Sequence, residues 1–219
     1  MKKRNFDDDI IKFIYIVAMR DAVQRQAYKG KKDWLWNKDV IEKDSSIKRV
    51  ISYLRSFVDQ ILNGRFINDT QDNYDAELSK LAGNIMKKIN NSESNPNKEN
   101  GDFKKDKDGN DIEFSFGNAQ KLINMTIKYI YITLLGDKFN NRDKFKYCHC
   151  PMDGIMLKIV WENKNNLNEI DLGDSRFCSN GWGKEKSTDE RYMIFQKAVR
   201  QLAKKTNCYP IEYDYINWQ

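Results

Sequence analysis

The sequence lacks the features that mark several large classes of protein. It contains no glycine-rich loop of the kind that binds nucleotide phosphates, neither a P-loop nor a dinucleotide fingerprint. No internal repeat is present, and no series of alternating apolar and polar residues indicates consecutive β-strands. We therefore expect a mainly helical protein that uses no redox or nucleotide cofactor.

Long apolar runs are also missing. The longest near the N-terminus covers residues 10–19 and is interrupted by Lys12, whereas a membrane-spanning helix needs about 20 apolar residues. No signal peptide precedes the four cysteines, which are therefore expected to be reduced thiols. We predict a cytoplasmic protein with no membrane partner.

The composition is that of a folded, moderately basic chain. Of 219 residues, 40% are hydrophobic and 12% aromatic, which is enough to form a substantial core. The formal net charge of +6 would help the protein to approach a polyanion, although many basic proteins have no nucleic-acid partner. We expect one domain over residues 1–219, with two helical lobes and a cleft between them.

Apolar residues recur at helical spacing in several segments of the chain. These segments cover residues 10–23, 45–62, 78–89, 117–135, 155–160 and 190–203. Acidic residues precede the first segment, serines precede the second, and Ser187 with Glu190 forms a capping-box pattern before the last. The fold class predicted from this pattern is all-α.

A polar segment interrupts this helical pattern at residues 91–112. It is rich in Asn, Lys, Ser, Glu and Asp, and Asp108, Gly109 and Asn110 form a turn signal within it. The segment is predicted to be a mobile insertion or a small exposed hairpin.

Two predicted helix starts carry side chains that could take part in a reaction. Residues 117–121 read Gly-Asn-Ala-Gln-Lys, and residues 151–153 read Pro-Met-Asp. A lysine is nucleophilic when burial or a helix N-terminus keeps part of it neutral, and a carboxylate stabilises the positive charge that develops when a glycosidic bond breaks. Alternatively, Lys121 is an exposed surface lysine and Asp153 only caps its helix.

These two segments resemble the helix-hairpin-helix DNA glycosylase superfamily, whose bifunctional members carry Gly-x-x-x-Lys followed by Pro-x-Asp. Among its branches, the chain is most similar to the archaeal 8-oxoguanine glycosylases over residues 114–218. That branch closes its base pocket with an acidic residue and a tryptophan four apart, as Asp214 and Trp218 are here. The resemblance implies a helical glycosylase fold.

The resemblance also implies a function and a set of site residues. Lys121 would be the Schiff-base nucleophile and Asp153 the catalytic carboxylate of a DNA glycosylase with abasic-site lyase activity, a monomer acting in DNA repair. Its partner would be duplex or single-stranded DNA with a flipped base, either 8-oxoguanine-like or otherwise modified. The residues implied in base binding are Gln26, with Gln24 as its alternative, Met125, Lys128, Asp214 and Trp218. Those implied in DNA binding are Gly117, Asn118 and Gln120.

Other interpretations remain open from the sequence. The chain could be a monofunctional glycosylase in which Asp153 activates water, in repair or in defence against phage DNA with modified bases. It could also be a non-catalytic DNA-binding or interaction module with the same fold. Residues 91–112 replace the glycine-rich hairpin that binds phosphate in the superfamily, so backbone recognition by that element is not evident.

We predict no metal site. Cys148 and Cys150 are separated by one residue, whereas structural zinc sites pair ligands two to four residues apart, and the other cysteines are scattered. His149 is the only histidine, and we expect it to position the loop before Pro151. The acidic cluster at residues 106–111 lacks the full ligand series of a calcium loop.

Overall fold

The structure, a computed structural model, describes residues 8–23, 30–135, 142–174 and 190–217. Within these ranges there are eight α-helices: α1 (Asp8–Ala22), α2 (Lys38–Lys43), α3 (Ser45–Leu62), α4 (Gln71–Asn90), α5 (Phe116–Leu135), α6 (Gly154–Glu162), α7 (Glu190–Lys205) and α8 (Pro210–Asn217). Short 3-10 helices lie at Asp33–Trp36, Arg142–Phe145 and Lys164–Asn166. The only sheet in the described ranges pairs β1 (Lys98–Glu99) with β2 (Asp102–Phe103) in antiparallel register. The prediction of a mainly helical fold is confirmed.

Helix α5 is the central element of the fold. It packs most extensively against α1 and α4, and α3 packs in turn against α4. Nearly every side chain of its first four turns is buried, which is usual for an apolar helix inside a core. Helix α5 is unusual because several of these buried side chains are polar, namely Asn118, Gln120, Lys121, Asn124, Thr126 and Lys128. Their partners determine what the surrounding helices must supply.

The start of α3 shows how the helices are joined to the polar insertion. The expected serine cap is replaced by Asp44, whose Oδ1 accepts hydrogen bonds from the backbone N–H groups of Ser46 and Ile47 at 2.8 and 2.9 Å. Its other oxygen accepts the hydroxyl of Ser92 at 2.7 Å and the N–H of Ser94 at 3.3 Å. One carboxylate therefore caps a helix and holds the beginning of the insertion.

The insertion forms the small hairpin that the sequence offered as one alternative. Its base is closed by Asn90, whose side chain donates to the carbonyl of Phe114 at 3.0 Å and accepts from its N–H at 2.8 Å. Asn97 makes the same two-point contact with the backbone of Lys31, at 3.0 and 2.8 Å. A Cβ on Gly30 would lie 2.7 Å from the side-chain oxygen Oδ1 of Asn97, so this contact requires a residue without a side chain at position 30.

The C-terminal half departs from the sequence expectation in two places. Residues 210–217 lie outside the segments with helical apolar spacing but form helix α8, with Pro210 at its first position, where proline costs no hydrogen bond. Pro151 was expected in the first turn of a helix but precedes α6, which begins at Gly154 with Asp153 as its cap. Within the described ranges, no helix is both long and apolar enough to cross a membrane.

We predict that Asp44→Ala destabilises the protein by about 2 kcal/mol, because it removes a helix cap and leaves buried donors without an acceptor. Burial alone would raise the pKa of Asp44, but the bonds from Ser94, Ile47 and Ser92 outweigh burial and lower it. The stabilisation is therefore present above the unfolded pKa of about 4 and disappears as the pH falls through the lower folded pKa.

Urea unfolding of wild type and Asp44→Ala at pH 7 and at pH 2.5 would measure this difference. Asp59→Ala, on the exposed side of α3, is the control and should change stability by less than about 0.5 kcal/mol. Equal stability of Asp44→Ala and wild type at pH 7 would contradict the prediction.

Candidate active site around Lys121 and Asp153

One face of α5 carries three of the residues that the resemblance implied. Lys121, Met125 and Lys128 are four and then three residues apart, so they lie on one side of the helix. All three are buried, and Lys121 is only 3% exposed. A lysine is rarely buried to this extent unless it is paired. Lys121 is therefore not the exposed surface lysine that its sequence position left possible.

The expected partner of Lys121 lies beside it. Asp153 caps α6 through Oδ1, which accepts the backbone N–H of Met156 at 2.9 Å. Its other oxygen, Oδ2, is 3.9 Å from Nζ of Lys121. The two readings of Asp153 from the sequence are thus compatible, because one oxygen caps the helix while the other faces the lysine.

The environment of Lys121 makes its amine easier to deprotonate. Burial lowers the pKa of Lys121, and the positive charge of Lys128 acts in the same direction. The carboxylates of Asp153, Asp21 and Asp214 oppose this shift, but burial outweighs them. A larger fraction of Lys121 is therefore neutral at a given pH than for an exposed lysine, which is the condition for nucleophilic attack.

A second lysine–carboxylate pair lies about two helical turns further along α5. The ammonium of Lys128 contacts Oδ2 of Asp214, whose side chain is fully buried. Burial raises the pKa of Asp214, and Lys128 opposes that shift. Among the described residues, Oδ1 of Asp214 has no hydrogen-bond partner. This oxygen is a buried acceptor that a bound molecule with an N–H group would satisfy.

Asp21, which the sequence did not predict, is a third carboxylate of the site. It lies in the last turn of α1, where the hydroxyl of Tyr129 donates a hydrogen bond to it. Burial and the charge of Asp21 raise the pKa of Tyr129, so this hydroxyl remains a donor. The end of α1 is held on α5 by Asn118, which donates to the carbonyl of Ala22 at 2.7 Å. Only the packing of α1 on α5 reveals Asp21, and no local motif marks it.

The remaining implied residues divide into two groups. Gln24, Gln26 and Trp218 lie outside the described residues. Gly117, Asn118 and Gln120, implied in DNA binding, are buried. Asn118 exchanges hydrogen bonds with Ser115 at the start of α5, and Gln120 accepts one from Asn124. These bonds are internal, so the structure lends no support to a DNA contact by these three residues.

His149 lies in the segment before Pro151, as expected, within a buried polar cluster. Its Nε2 is 2.7 Å from Oδ1 of Asp75, and its Nδ1 is 2.5 Å from the hydroxyl of Tyr192. Arg200 donates to the same Asp75 oxygen at 2.7 Å. Burial lowers the pKa of His149, although Asp75 opposes this. Burial therefore favours the neutral imidazole, and both of its ring nitrogens make contacts within this cluster.

The neighbouring thiols also belong to the core. Cys148 and Cys150 are fully buried, and burial raises the pKa of Cys148 to about 12 and that of Cys150 well above its ordinary value. A protonated, buried thiol is a poor metal ligand and a poor nucleophile. Within the ranges that the structure describes, no three His, Cys, Asp or Glu side chains are grouped so that they could hold a metal ion.

Comparison of the chain with models of known protein families, with curated proteins and with solved structures returns no significant match. The motif residues and their geometry are therefore the observations that bear on function. The structure brings together five of the implied residues, Lys121, Met125, Lys128, Asp153 and Asp214, the last of them from α8.

We predict that Asp153→Asn lowers the pKa of Lys121 further, because it removes the carboxylate that most opposes the effect of burial. Lysine side-chain NMR, followed as a function of pH, would measure this pKa in both proteins. Asp39→Asn, which removes an exposed carboxylate from α2, is the control and should leave the pKa of Lys121 unchanged. A pKa that rises or stays constant in Asp153→Asn would contradict the assignment of this pair.

We also predict that Lys128→Met destabilises the protein by about 3–5 kcal/mol at pH 8, because it leaves the buried Asp214 carboxylate unpaired. The loss should be smaller at pH 5, where Asp214, with its raised pKa, can take up a proton. The double variant Lys128→Met/Asp214→Leu should recover most of the stability in urea unfolding. The exposed pair Lys158 and Glu162, replaced in the same way, is the control and should change stability by at most about 1 kcal/mol.

Proposed function

We propose that the protein is a DNA glycosylase with abasic-site lyase activity, in which Lys121 is the nucleophile and Asp153 its carboxylate partner. The observation that carries this proposal is the position of the Lys121 amine, which is buried and 3.9 Å from a carboxylate whose other oxygen is fixed by a helix cap. The resemblance of both segments to bifunctional helix-hairpin-helix glycosylases supports the same roles.

Each residue has a defined part in the proposed reaction. The neutral Lys121 amine attacks C1′ of a flipped nucleotide, a bond from Nζ to C1′ forms, and the bond from C1′ to the base breaks. The departing base takes up a proton, and the Asp153 carboxylate stabilises the positive charge that develops on the sugar. Loss of the amine proton and opening of the sugar ring give a Schiff base. Removal of a proton from C2′ then expels the 3′ phosphate and cleaves the strand.

The second pair of the site supports recognition of a base. Oδ1 of Asp214 is a buried acceptor, suited to a ring N–H, and Lys128 offers a donor beside it for a carbonyl oxygen. Met125 presents an apolar surface on the same face of α5. An oxidised purine such as 8-oxoguanine carries both an N–H and a carbonyl group on one edge. We propose an oxidised or otherwise modified base as the substrate, and DNA as the partner of a cytoplasmic monomer.

We predict that borohydride traps wild type covalently on oligonucleotides with an abasic site or the substrate base, and that Lys121→Gln abolishes trapping, because only a Schiff base is reduced to a stable link. Asp153→Asn should lower the rate of trapping by about a hundredfold or more, in proportion to the charge stabilisation that it removes. The panel would contain 8-oxoguanine, uracil, modified cytosines and abasic sites in duplex and single-stranded DNA.

The matched control is Lys158→Gln, which removes an exposed lysine from α6, the helix that Asp153 caps. It should trap like wild type. Base release that survives in Lys121→Gln and is lost in Asp153→Asn would contradict the lyase mechanism and indicate a monofunctional glycosylase. DNA binding without trapping or base release on any substrate would contradict the enzymatic function and indicate a non-catalytic binding module.

A further inference from the structure

The catalytic carboxylate is held through the segment that precedes it, and the residues that hold this segment lie on α7. Tyr192, Gln196 and Arg200 are each four residues apart, so they form one stripe along this helix. Tyr192 contacts His149, Gln196 contacts Cys150, and Arg200 contacts both His149 and its partner Asp75. The whole stripe is therefore used to hold two consecutive residues of an extended segment.

Gln196 makes the most direct of these contacts. Its Nε2 donates to the carbonyl of Cys150 at 2.7 Å, and its Oε1 accepts the N–H of Cys150 at 3.2 Å. The Gln196 side chain is fully buried. The side-chain amide of Gln196 thus satisfies both backbone polar groups of Cys150. We call these two hydrogen bonds the Cys150 clamp.

Little freedom remains between the Cys150 clamp and Asp153. Pro151 has a fixed φ, and the side chain of Met152 is fully buried. Asp153 follows at once and is fixed on its other side by the bond to the N–H of Met156. The carboxylate is therefore fixed from both directions, which is what holds Oδ2 at its distance from Lys121.

We propose that Gln196 is a positioning residue for the reaction, acting through Cys150 and Pro151 on Asp153. This inference rests on the proposed function, because a precise position of Asp153 matters to the chemistry only if Lys121 and Asp153 react with DNA. Displacement of a catalytic group by about 1 Å can lower a rate by about a hundredfold, so loss of the Cys150 clamp should slow the reaction without removing a catalytic residue.

The chain contains a close control for this proposal. Gln201, also on α7, accepts the N–H of Asn168 and donates to its carbonyl, each at 2.8 Å. The chemical group, the helix and the two-point contact are the same, but the backbone that Gln201 holds belongs to the loop after α6. Gln196→Met and Gln201→Met therefore each remove a two-point clamp on a backbone, the first buried and the second exposed, and only the first precedes Asp153.

The test measures single-turnover cleavage of abasic-site DNA, the Kd for that DNA, and amide hydrogen exchange of Met156. We expect Gln196→Met to slow cleavage by about tenfold to a hundredfold, with the Kd within about twofold of wild type and faster exchange at Met156. Gln201→Met should match wild type in all three. A rate within twofold of wild type, or equal losses in both variants, would overturn the positioning role.

Gln196→Glu keeps the test decisive if Gln196→Met does not fold. A protonated glutamic acid can donate to the carbonyl of Cys150 and accept its N–H, whereas the ionised form loses the donor, and burial raises the pKa of this carboxyl into the working range. The rate of Gln196→Glu relative to wild type should therefore fall as the pH rises from 5.5 to 8. A ratio that is constant with pH overturns the inference, whereas absence of cleavage and trapping by wild type overturns the proposed function itself.

Discussion

The burial of two lysine amines on the central helix is the constraint on which the rest of the structure depends. Lys121 and Lys128 are both withdrawn from water on α5, and an unpaired buried charge would cost several kcal/mol. Their carboxylate partners come from distant parts of the chain, Asp153 from the cap of α6 and Asp214 from α8. The C-terminal helices therefore complete the electrostatics of α5 as well as its apolar packing.

The other polar side chains of α5 serve a different purpose. Gln120 and Asn124 hydrogen-bond to each other, and Asn124 donates to the hydroxyl of Tyr192, which in turn contacts His149. This chain of contacts links the helix that carries the amine to the segment that leads to the carboxylate. Lys121 and Asp153 are thus both connected to one buried polar network, and a network of this kind favours a single arrangement of the helices around it.

Apolar spacing predicted the main helices, and the resemblance of two segments to the glycosylase superfamily implied that Lys121 and Asp153 belong to one site. Three features could not be predicted, each for a physical reason. Asp21 enters the site only through the packing of α1 on α5, which sequence spacing does not encode. The buried state of Asn118 depends on the carbonyl of Ala22, a residue 96 positions away. Helix α8 could not be predicted because its polar and aromatic residues show no clear apolar face. Its buried side includes Asp214, which is paired with Lys128.

The hairpin between α4 and α5 gives the molecule an uneven distribution of charge. Residues 91–112 contain six acidic residues and four lysines, which gives this segment a net charge of −2. Since the whole chain has a net charge of +6, the remainder carries +8. The Asn90–Phe114 contact closes the hairpin at its base and keeps this acidic segment together. The hairpin therefore carries a net charge opposite in sign to that of the rest of the chain, and a polyanion would be repelled by it. For the proposed DNA partner, this acidic element would repel the phosphate backbone rather than bind it.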